Sequence, residues 1–155
     1  GFRSGTLPTP LCVGLGEACR IAGEEMEEEA ARLTRFRNNL YQRICGSLDG
    51  VILNGHADHR LAGNLNISFL GVDAEDLIAA TPELAISTGS ACTSASVEPS
   101  YVLRSLGLEE DVARSGIRIG LGRQTTAEEV SRAADLLVER VTRLRSDKEQ
   151  MRVSG

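Results

Sequence analysis

One cysteine stands out because of the residues that surround it. Cys92 lies in a run of ten small residues, 87–96, which reads Ser-Thr-Gly-Ser-Ala-Cys-Thr-Ser-Ala-Ser. Because such a run has little apolar side chain to bury, we expect it to form a mobile loop. A thiol on a mobile loop suits a nucleophile that travels between a substrate and an acceptor. From composition alone, a passive cysteine in a Ser/Thr turn is the commoner case.

An arginine within an alternating strand is the second candidate for chemistry. Arg118 stands between Ile117 and Ile119, so a strand here places its side chain on the face opposite theirs. A guanidinium can hold a carboxylate through two parallel hydrogen bonds, which a lysine cannot imitate. The alternative interpretation is an ordinary surface or ion-pairing arginine.

Lysine chemistry is not expected from this chain alone. Lys148 is its only lysine, and it lies in a polar run near the carboxyl end. An activated amine needs a desolvating pocket or a neighbouring positive charge, and a solvated run supplies neither.

Two further motifs are weaker signals. Residues 56–59 (His-Ala-Asp-His) could hold a metal, but their spacing suits a helix and they lie in a glycine-flanked loop, so we predict no metal site. Residues 14–16 (Gly-Leu-Gly) could begin a dinucleotide-binding motif, but Cys19 replaces the third glycine and no strand precedes. Close helix packing is the preferred interpretation of those glycines.

Hydrophobic periodicity predicts the elements that must position these residues. It indicates helices over 11–21 and 24–44, strands over 51–53 and 64–69, a helix over 73–80, a strand over 84–86, a helix from 99 to 107, a strand over 116–121 and a final helix that carries apolar residues from 130 to 144. The pattern is typical of an α/β or α+β layer pair.

Local signals refine the helices. Thr125 and Thr126 precede Glu128 and Glu129 by three residues each, the spacing of a capping box, so the final helix should begin there. Cys12 and Cys19 are seven residues apart, so they share one helical face and we expect them to pack inside. Cys45 is assigned no role.

Composition excludes several classes of function. The chain carries 17 basic and 22 acidic residues and is 3 % aromatic, which disfavours binding to nucleic acid. Its apolar runs are too short to span a bilayer, and its first residues lack the apolar middle of a signal peptide. The four cysteines form no CxxC pair. We therefore expect a reducing, cytoplasmic location and no membrane partner.

Several segments together resemble a known family. Residues 90–96 (Ser-Ala-Cys-Thr-Ser-Ala-Ser) and 98–104 (Glu-Pro-Ser-Tyr-Val-Leu-Arg) closely resemble pyridoxal-phosphate-dependent cysteine desulfurases, which are class V aminotransferases. Residues 3–8, 65–69 and 117–126 follow the family's order and spacing. The chain most resembles the subgroup that has a long cysteine loop and serves iron–sulfur cluster assembly.

The resemblance implies the carboxyl-terminal portion of a fold-type-I transferase that works as a homodimer. In that family L-cysteine is converted to L-alanine, and the sulfur remains on the enzyme as a persulfide for scaffold or carrier proteins. Cys92 matches the persulfide-bearing cysteine, and Arg118 matches the arginine that holds the substrate carboxylate. Thr6 matches a threonine that reaches the cofactor phosphate across the dimer.

The resemblance also implies a division of the enzyme. The family's cofactor lysine and phosphate-binding loop belong upstream of Arg3, so this chain alone is expected to be inactive without an amino-terminal half. Residues 1–24 would end the large cofactor domain and form a connecting helix, and residues 25–155 would form the small domain. Gly116 replaces a serine that is usual in the family, which bears on the details of substrate geometry.

Three alternatives stay open from the sequence. The chain could be a non-catalytic interaction domain in which Cys92 only accepts sulfur, since the cofactor lysine is absent. A rhodanese-like sulfurtransferase would need no cofactor and would act on thiosulfate. A selenium-specific lyase belongs to the same class as the desulfurases.

Overall fold

The computed structural model describes residues 5–88 and 100–153, which form one antiparallel sheet with helices around it. The strand order is β1-β2-β4-β3, and every neighbouring pair is antiparallel. This arrangement confirms the predicted α/β class. In chain order the elements are α1 (Thr9–Ser47), β1 (Val51–Leu53), β2 (Asn64–Phe69), α2 (Ala74–Ala80), β3 (Ile86–Ser87), α3 (Tyr101–Ser105), α4 (Glu110–Arg114), β4 (Gly116–Gly120) and α5 (Ala127–Val153).

The core lies between one face of the sheet and the two long helices, α1 and α5. Alternate residues of β2 and β4 face it, as the sequence pattern predicts for strands with one buried face. Burial of each such side chain contributes about 1.5–3 kcal/mol. The core residues of these four elements are Leu40, Ile44, Leu65, Ile67, Phe69, Ile117, Ile119, Val130, Ala134, Leu137 and Val141.

The first two predicted helices form one continuous helix. α1 is 39 residues long and runs through Gly23, where the prediction placed a break. A helical glycine costs only about 1 kcal/mol relative to alanine, so one glycine does not end a helix that is stabilised on both sides.

The prediction that Cys12 and Cys19 pack inside is wrong, because both are exposed. They do share a helical face, but the buried residues of α1 begin only at Leu33. Met26, an apolar residue in the second of these predicted helices, is 63 % exposed for the same reason. The first half of α1 therefore extends beyond the core that the described residues form.

The segment between α2 and β4 differs in detail from the prediction. β3 is Ile86–Ser87 rather than residues 84–86, and α4 was not predicted. α3 begins at Tyr101, with Ser100 as its N-cap residue, and Pro99, where the prediction began this helix, lies outside the described residues. The turn after α3 comes at Gly107, as predicted, where φ is 77°. Glycine adopts such a positive φ without steric cost.

The predicted capping box of α5 is confirmed, and of the two pairs with the right spacing it is Thr126 and Glu129 that form it. The backbone N–H of Glu129 donates to Thr126 Oγ1 at 3.2 Å, and the backbone N–H of Thr126 donates to Glu129 Oε2 at 2.8 Å. Both ends of the motif thus satisfy donors that the helix leaves unpaired.

α1 also fixes the loop that joins β4 to α5. Arg32 donates to the backbone carbonyls of Thr125 and Arg123, each at 2.8 Å. The Arg123 guanidinium in turn lies 2.9 Å from the Glu29 carboxylate. These contacts hold the end of β4 against α1.

None of the described helices combines the length and the apolar character that crossing a membrane requires.

Candidate functional site

The face of the sheet that points away from α1 and α5 forms one wall of a cleft of about 280 Å³, here called the Arg118 cleft. The loop between β1 and β2 forms a second wall, and apolar residues of the α3 segment form the third. Its lining is polar on two sides and apolar on one. The lining residues are Asn54, Gly55, His56, His59, Arg60, Asn64, Asn66, Thr88, Ser100, Val102, Leu103, Leu106 and Arg118.

Arg118 is exposed in this cleft, whereas Ile117 and Ile119 are 0 % and 6 % exposed in the core. The predicted orientation of Arg118 is thereby confirmed. Within the part of the chain that the structure describes, its guanidinium has neither a hydrogen-bond nor an ion-pair partner. None of the described residues that line the cleft is acidic. An anion that enters the cleft meets a guanidinium that no carboxylate of the lining neutralises.

Cys92 lies outside the described residues, so its position relative to Arg118 stays a prediction. The two described residues that flank its segment are Thr88 and Ser100, and both line the Arg118 cleft. Ser87, which precedes Thr88, is the register partner of Arg118 across the β3–β4 pair. The chain therefore leaves and re-enters the described structure beside the arginine.

Thr6, the predicted phosphate ligand, is exposed just before α1 and does not line the Arg118 cleft. The structure thus does not bring Thr6 to Arg118 within one chain. A role for Thr6 in a site formed with another chain stays a prediction.

The loop after β1 holds two histidines and an arginine at the mouth of the cleft. His56 Nδ1 accepts the backbone N–H groups of Asp58 and His59, both at 3.0 Å, so a neutral His56 carries its proton on Nε2. Arg60 donates to the carbonyls of His56 at 2.7 Å and Asn54 at 3.0 Å. These hydrogen bonds tie the Arg60 side chain to the backbone of its own loop and keep the Arg60 guanidinium beside the cleft.

Arg60 itself was not among the residues singled out from the sequence. Burial, and then the neighbouring guanidinium of Arg37, lower the pKa of Arg60. Arg60 gives this wall of the cleft its positive charge, although it lies 58 positions before Arg118 in the sequence. No local motif links the two residues. Across residues 5–88 and 100–153, no group of three His, Cys, Asp or Glu side chains is close enough to hold a metal.

A row of hydrogen-bonded polar side chains crosses the same face of the sheet. Ser68 Oγ donates to the Val112 carbonyl at 2.7 Å and accepts from Asn54 Nδ2 at 2.9 Å. Asn54 Nδ2 also donates to Asn66 Oδ1 at 2.7 Å. Asn66 is in turn the register partner of Arg118 in the β2–β4 pair. The sequence contained one signal of this row, since Asn66 and Ser68 alternate with buried apolar residues of β2.

Comparison with known proteins identifies the family. The aminotransferase class-V family matches residues 1–133. The chain belongs to this family.

Curated relatives share long stretches of its sequence. Cysteine desulfurase IscS of Ehrlichia chaffeensis is 57 % identical over 145 residues, which are 94 % of this chain and 35 % of the relative. The human cysteine desulfurase is 50 % identical over 145 residues, with 94 % of this chain and 32 % of the relative covered. The chain thus spans about a third of the length of the curated relatives it matches.

Solved structures confirm the fold. A NifS-like protein superimposes with a TM-score of 0.77 at 26 % identity, over 92 % of this chain and 36 % of the other. DndA from Streptomyces lividans superimposes with a TM-score of 0.54 at 34 % identity, over 76 % of this chain and 33 % of the other. The sheet and helices therefore match about a third of the length of each of these two larger proteins.

Proposed function

We propose that this chain is the carboxyl-terminal part of a cysteine desulfurase that converts L-cysteine to L-alanine and carries the sulfur as a persulfide on Cys92. The observation that carries the proposal is the guanidinium of Arg118, which has no partner among the described residues and lines the same cleft as Thr88 and Ser100, the two residues that flank the Cys92 segment. The relatives at 57 % and 50 % identity, both named cysteine desulfurases, support the same activity. The sulfur carried on Cys92 is proposed to serve iron–sulfur cluster or thio-cofactor synthesis.

Arg118 is proposed to hold the α-carboxylate of the substrate. Two parallel hydrogen bonds from a guanidinium fix both the position and the plane of a carboxylate, so the rest of the amino acid is oriented as well. The absence of acidic residues from the described lining keeps the site selective for an anion. Val102, Leu103 and Leu106 form an apolar wall that limits water beside the bound group.

Cys92 is proposed to take the sulfur by direct attack. Its thiolate forms a new S–S bond with the substrate's sulfur while the substrate's Cβ–S bond breaks. The Cβ carbon then takes up a proton and becomes the methyl group of alanine, and the enzyme is left with a persulfide. The thiolate is the reactive form, so the step requires that the thiol first lose its proton.

The family's cofactor is pyridoxal phosphate, which when bound supplies the electron sink for cleavage at the substrate's carbon atoms. The described residues of this chain do not fit covalent attachment of that group. Lys148 is the sole lysine, and in α5 its ammonium lies 3.8 Å from the Asp76 carboxylate, outside the Arg118 cleft. The attachment lysine is therefore proposed to come from an amino-terminal half, with Thr6 contributing to the phosphate site across a homodimer.

The exposed start of α1 supports the proposed division at residues 24 and 25. Leu11, Val13 and Leu15 are each at least 67 % exposed on this half of the helix. Apolar surface of this kind marks contact with another domain or chain. Residues 1–24 are proposed to end the cofactor domain, and residues 25–155 to form the small domain. Scaffold or sulfur-carrier proteins of the cytoplasm are the proposed acceptors.

Reconstitution tests the proposal. The chain would be fused behind the amino-terminal part of the Ehrlichia chaffeensis enzyme, which supplies the region this chain does not match. L-cysteine and pyridoxal phosphate are then added, and alanine and the mass of the intact protein are measured. The expected result is alanine together with one added sulfur, both lost in Cys92→Ser and retained in Cys45→Ser. Alanine release that is equal in the two variants would contradict the role of Cys92.

A non-catalytic sulfur-accepting domain is the second candidate. The placement of the sole lysine outside the cleft favours it for the chain in isolation. If the fusion forms no alanine but Cys92 still takes sulfur from a separate desulfurase, this candidate replaces the first. Sulfur transfer from thiosulfate by the chain alone would instead indicate a rhodanese-like activity.

A further inference from the structure

The row of polar side chains beside Arg118 has a defined direction. A backbone carbonyl can only accept, and the Val112 carbonyl accepts from Ser68 Oγ at 2.7 Å. Ser68 thereby uses its single proton, so it accepts from Asn54 Nδ2 at 2.9 Å. The amide nitrogen of Asn54 must then also face Asn66, whose Oδ1 it meets at 2.7 Å. The direction of the row is set by a carbonyl of α4.

This direction determines which amide atom Asn66 offers to the cleft. Its Oδ1 is engaged by Asn54, so its Nδ2 is the group left over, and it has no acceptor among the described residues. Asn54 is 4 % exposed, which shields the bond between the two amides from competing water. Asn66 therefore presents a donor that is held in orientation and that no residue in 5–88 or 100–153 engages.

The donor of Asn66 lies next to Arg118. The two residues are register partners in the antiparallel β2–β4 pair, and both line the cleft. Side chains of such partners leave the same face of a sheet, with Cβ atoms about 4.5–5.5 Å apart. A carboxylate bound to the guanidinium therefore has a free lone pair within reach of the Asn66 amide.

We propose that Asn66 is a second carboxylate-binding residue, which donates through Nδ2 to the same substrate carboxylate that Arg118 holds. Asn54 and Ser68 are positioning residues that turn the amide nitrogen of Asn66 toward the cleft. The inference rests on the proposed function of Arg118 and deepens it. The site then recognises a carboxylate by a guanidinium and an amide together, and it discriminates against amine substrates that lack this group.

Direct contact is tested by nuclear magnetic resonance on the 15N-labelled chain. Acetate is the probe, and neutral acetamide of nearly the same shape is the control ligand. Acetate should shift the side-chain amide signals of Asn66 and leave those of Asn39, which lies exposed on α1, unchanged. Acetamide should shift neither. Unchanged Asn66 signals at acetate concentrations that shift the Arg118 guanidinium signals would overturn the proposal.

Kinetics of the fusion protein give the second test. In Asn66→Ala the KM for L-cysteine should rise about tenfold, which corresponds to about 1.4 kcal/mol, with kcat little changed. Asn39→Ala is the matched control and should match the unaltered fusion. A KM in Asn66→Ala that stays within twofold of the control contradicts the proposal.

The positioning role has its own variant. In Asn54→Asp both side-chain oxygens can only accept, so Asn66 must turn its Nδ2 toward position 54 and its Oδ1 toward the cleft. The KM should then rise as in Asn66→Ala, although Asn66 itself is intact. An unchanged KM in a folded Asn54→Asp protein would show that the direction of the hydrogen bonds in this row does not affect substrate binding.

Failure of this inference is separable from failure of the proposed function. If the unaltered fusion makes no alanine, the desulfurase assignment fails, while the acetate titration still reports on the carboxylate site. If the fusion is active and Arg118→Lys raises the KM but Asn66→Ala does not, only the inference about Asn66 is lost.

Discussion

The contact between Gly63 and Leu121 offers a sharp test of how closely the start of β2 and the end of β4 are packed together. Gly63 precedes β2 and Leu121 follows β4, and Leu121 donates its backbone N–H to the Gly63 carbonyl at 2.7 Å. A Cβ atom on Gly63 would lie 2.2 Å from the Leu121 carbonyl oxygen. Gly63 has no positive φ, so an alanine there is opposed by this contact and not by its backbone conformation.

The size of the effect follows from that distance. The two backbones must separate by about 0.8 Å for the Cβ to reach even 3.0 Å from the oxygen. Overpacking of this kind costs about 1–3 kcal/mol, and weakening of the hydrogen bond costs about 0.5–1.5 kcal/mol. We therefore expect Gly63→Ala to lower the free energy of unfolding by about 2–4 kcal/mol.

Urea denaturation followed by circular dichroism measures this change. With a urea m-value of about 2 kcal/mol/M, the midpoint should fall by about 1–2 M. Gly122→Ala is the control, because a Cβ at Gly122 meets no atom within 4 Å. The control should stay within about 0.5 kcal/mol of the unaltered chain. Equal urea midpoints for Gly63→Ala and Gly122→Ala would refute the argument that a Cβ at Gly63 is opposed by the Leu121 carbonyl oxygen.

Two further predictions concern the capping box of α5. Thr126→Ala removes the oxygen that accepts the backbone N–H of Glu129 at 3.2 Å. In urea denaturation the free energy of unfolding should therefore fall by about 1 kcal/mol. The control is Thr142→Ala, on the exposed side of α5, which should not lower the free energy of unfolding. Hydrogen bonds from the backbone and then the hydroxyl of Thr126 hold the pKa of Glu129 below its ordinary value of 4.5. This stabilisation is fully present above pH 4.5 and is lost as the pH falls through the lowered pKa. Glu129→Gln should accordingly make the urea midpoint less dependent on pH in that acidic range, and an unchanged pH dependence would show that the carboxylate contributes nothing there.

Sequence patterns of short range predicted much of what positions the site. Alternation in β2 and β4 was enough to place Ile117 and Ile119 in the core and Arg118 on the opposite face, because side chains of a strand alternate between its faces. The spacing of Thr125 and Thr126 to Glu128 and Glu129 located the start of α5 to within one residue, because a capping box is made within four residues.

Burial along α1 could not be predicted in the same way. The shared helical face of Cys12 and Cys19 was correct, but the sequence of a helix does not say whether another element covers that face. The described residues supply a core only from Leu33 onward, so both cysteines are exposed. Periodicity identifies a face, and tertiary packing determines whether it is buried.

The wall of the cleft opposite α3 also depends on long-range contacts. Arg60, on the loop between β1 and β2, lies in the cleft with Arg118, which is 58 positions further along the chain. Their proximity follows from the pairing of β2 with both β1 and β4, and a single sequence carries no direct signal of such pairing. The Arg118 cleft is therefore a product of the strand order.

By itself, the sequence determined the class of fold, the face on which Arg118 lies, the start of α5 and the resemblance that marks Cys92, because each depends on residues close together in the chain. Only the tertiary structure decided that Asn66 stands beside Arg118 and which of its amide atoms faces the cleft. That direction depends on the Val112 carbonyl in α4, and a directional hydrogen bond can be assigned only when both of its partners are in place.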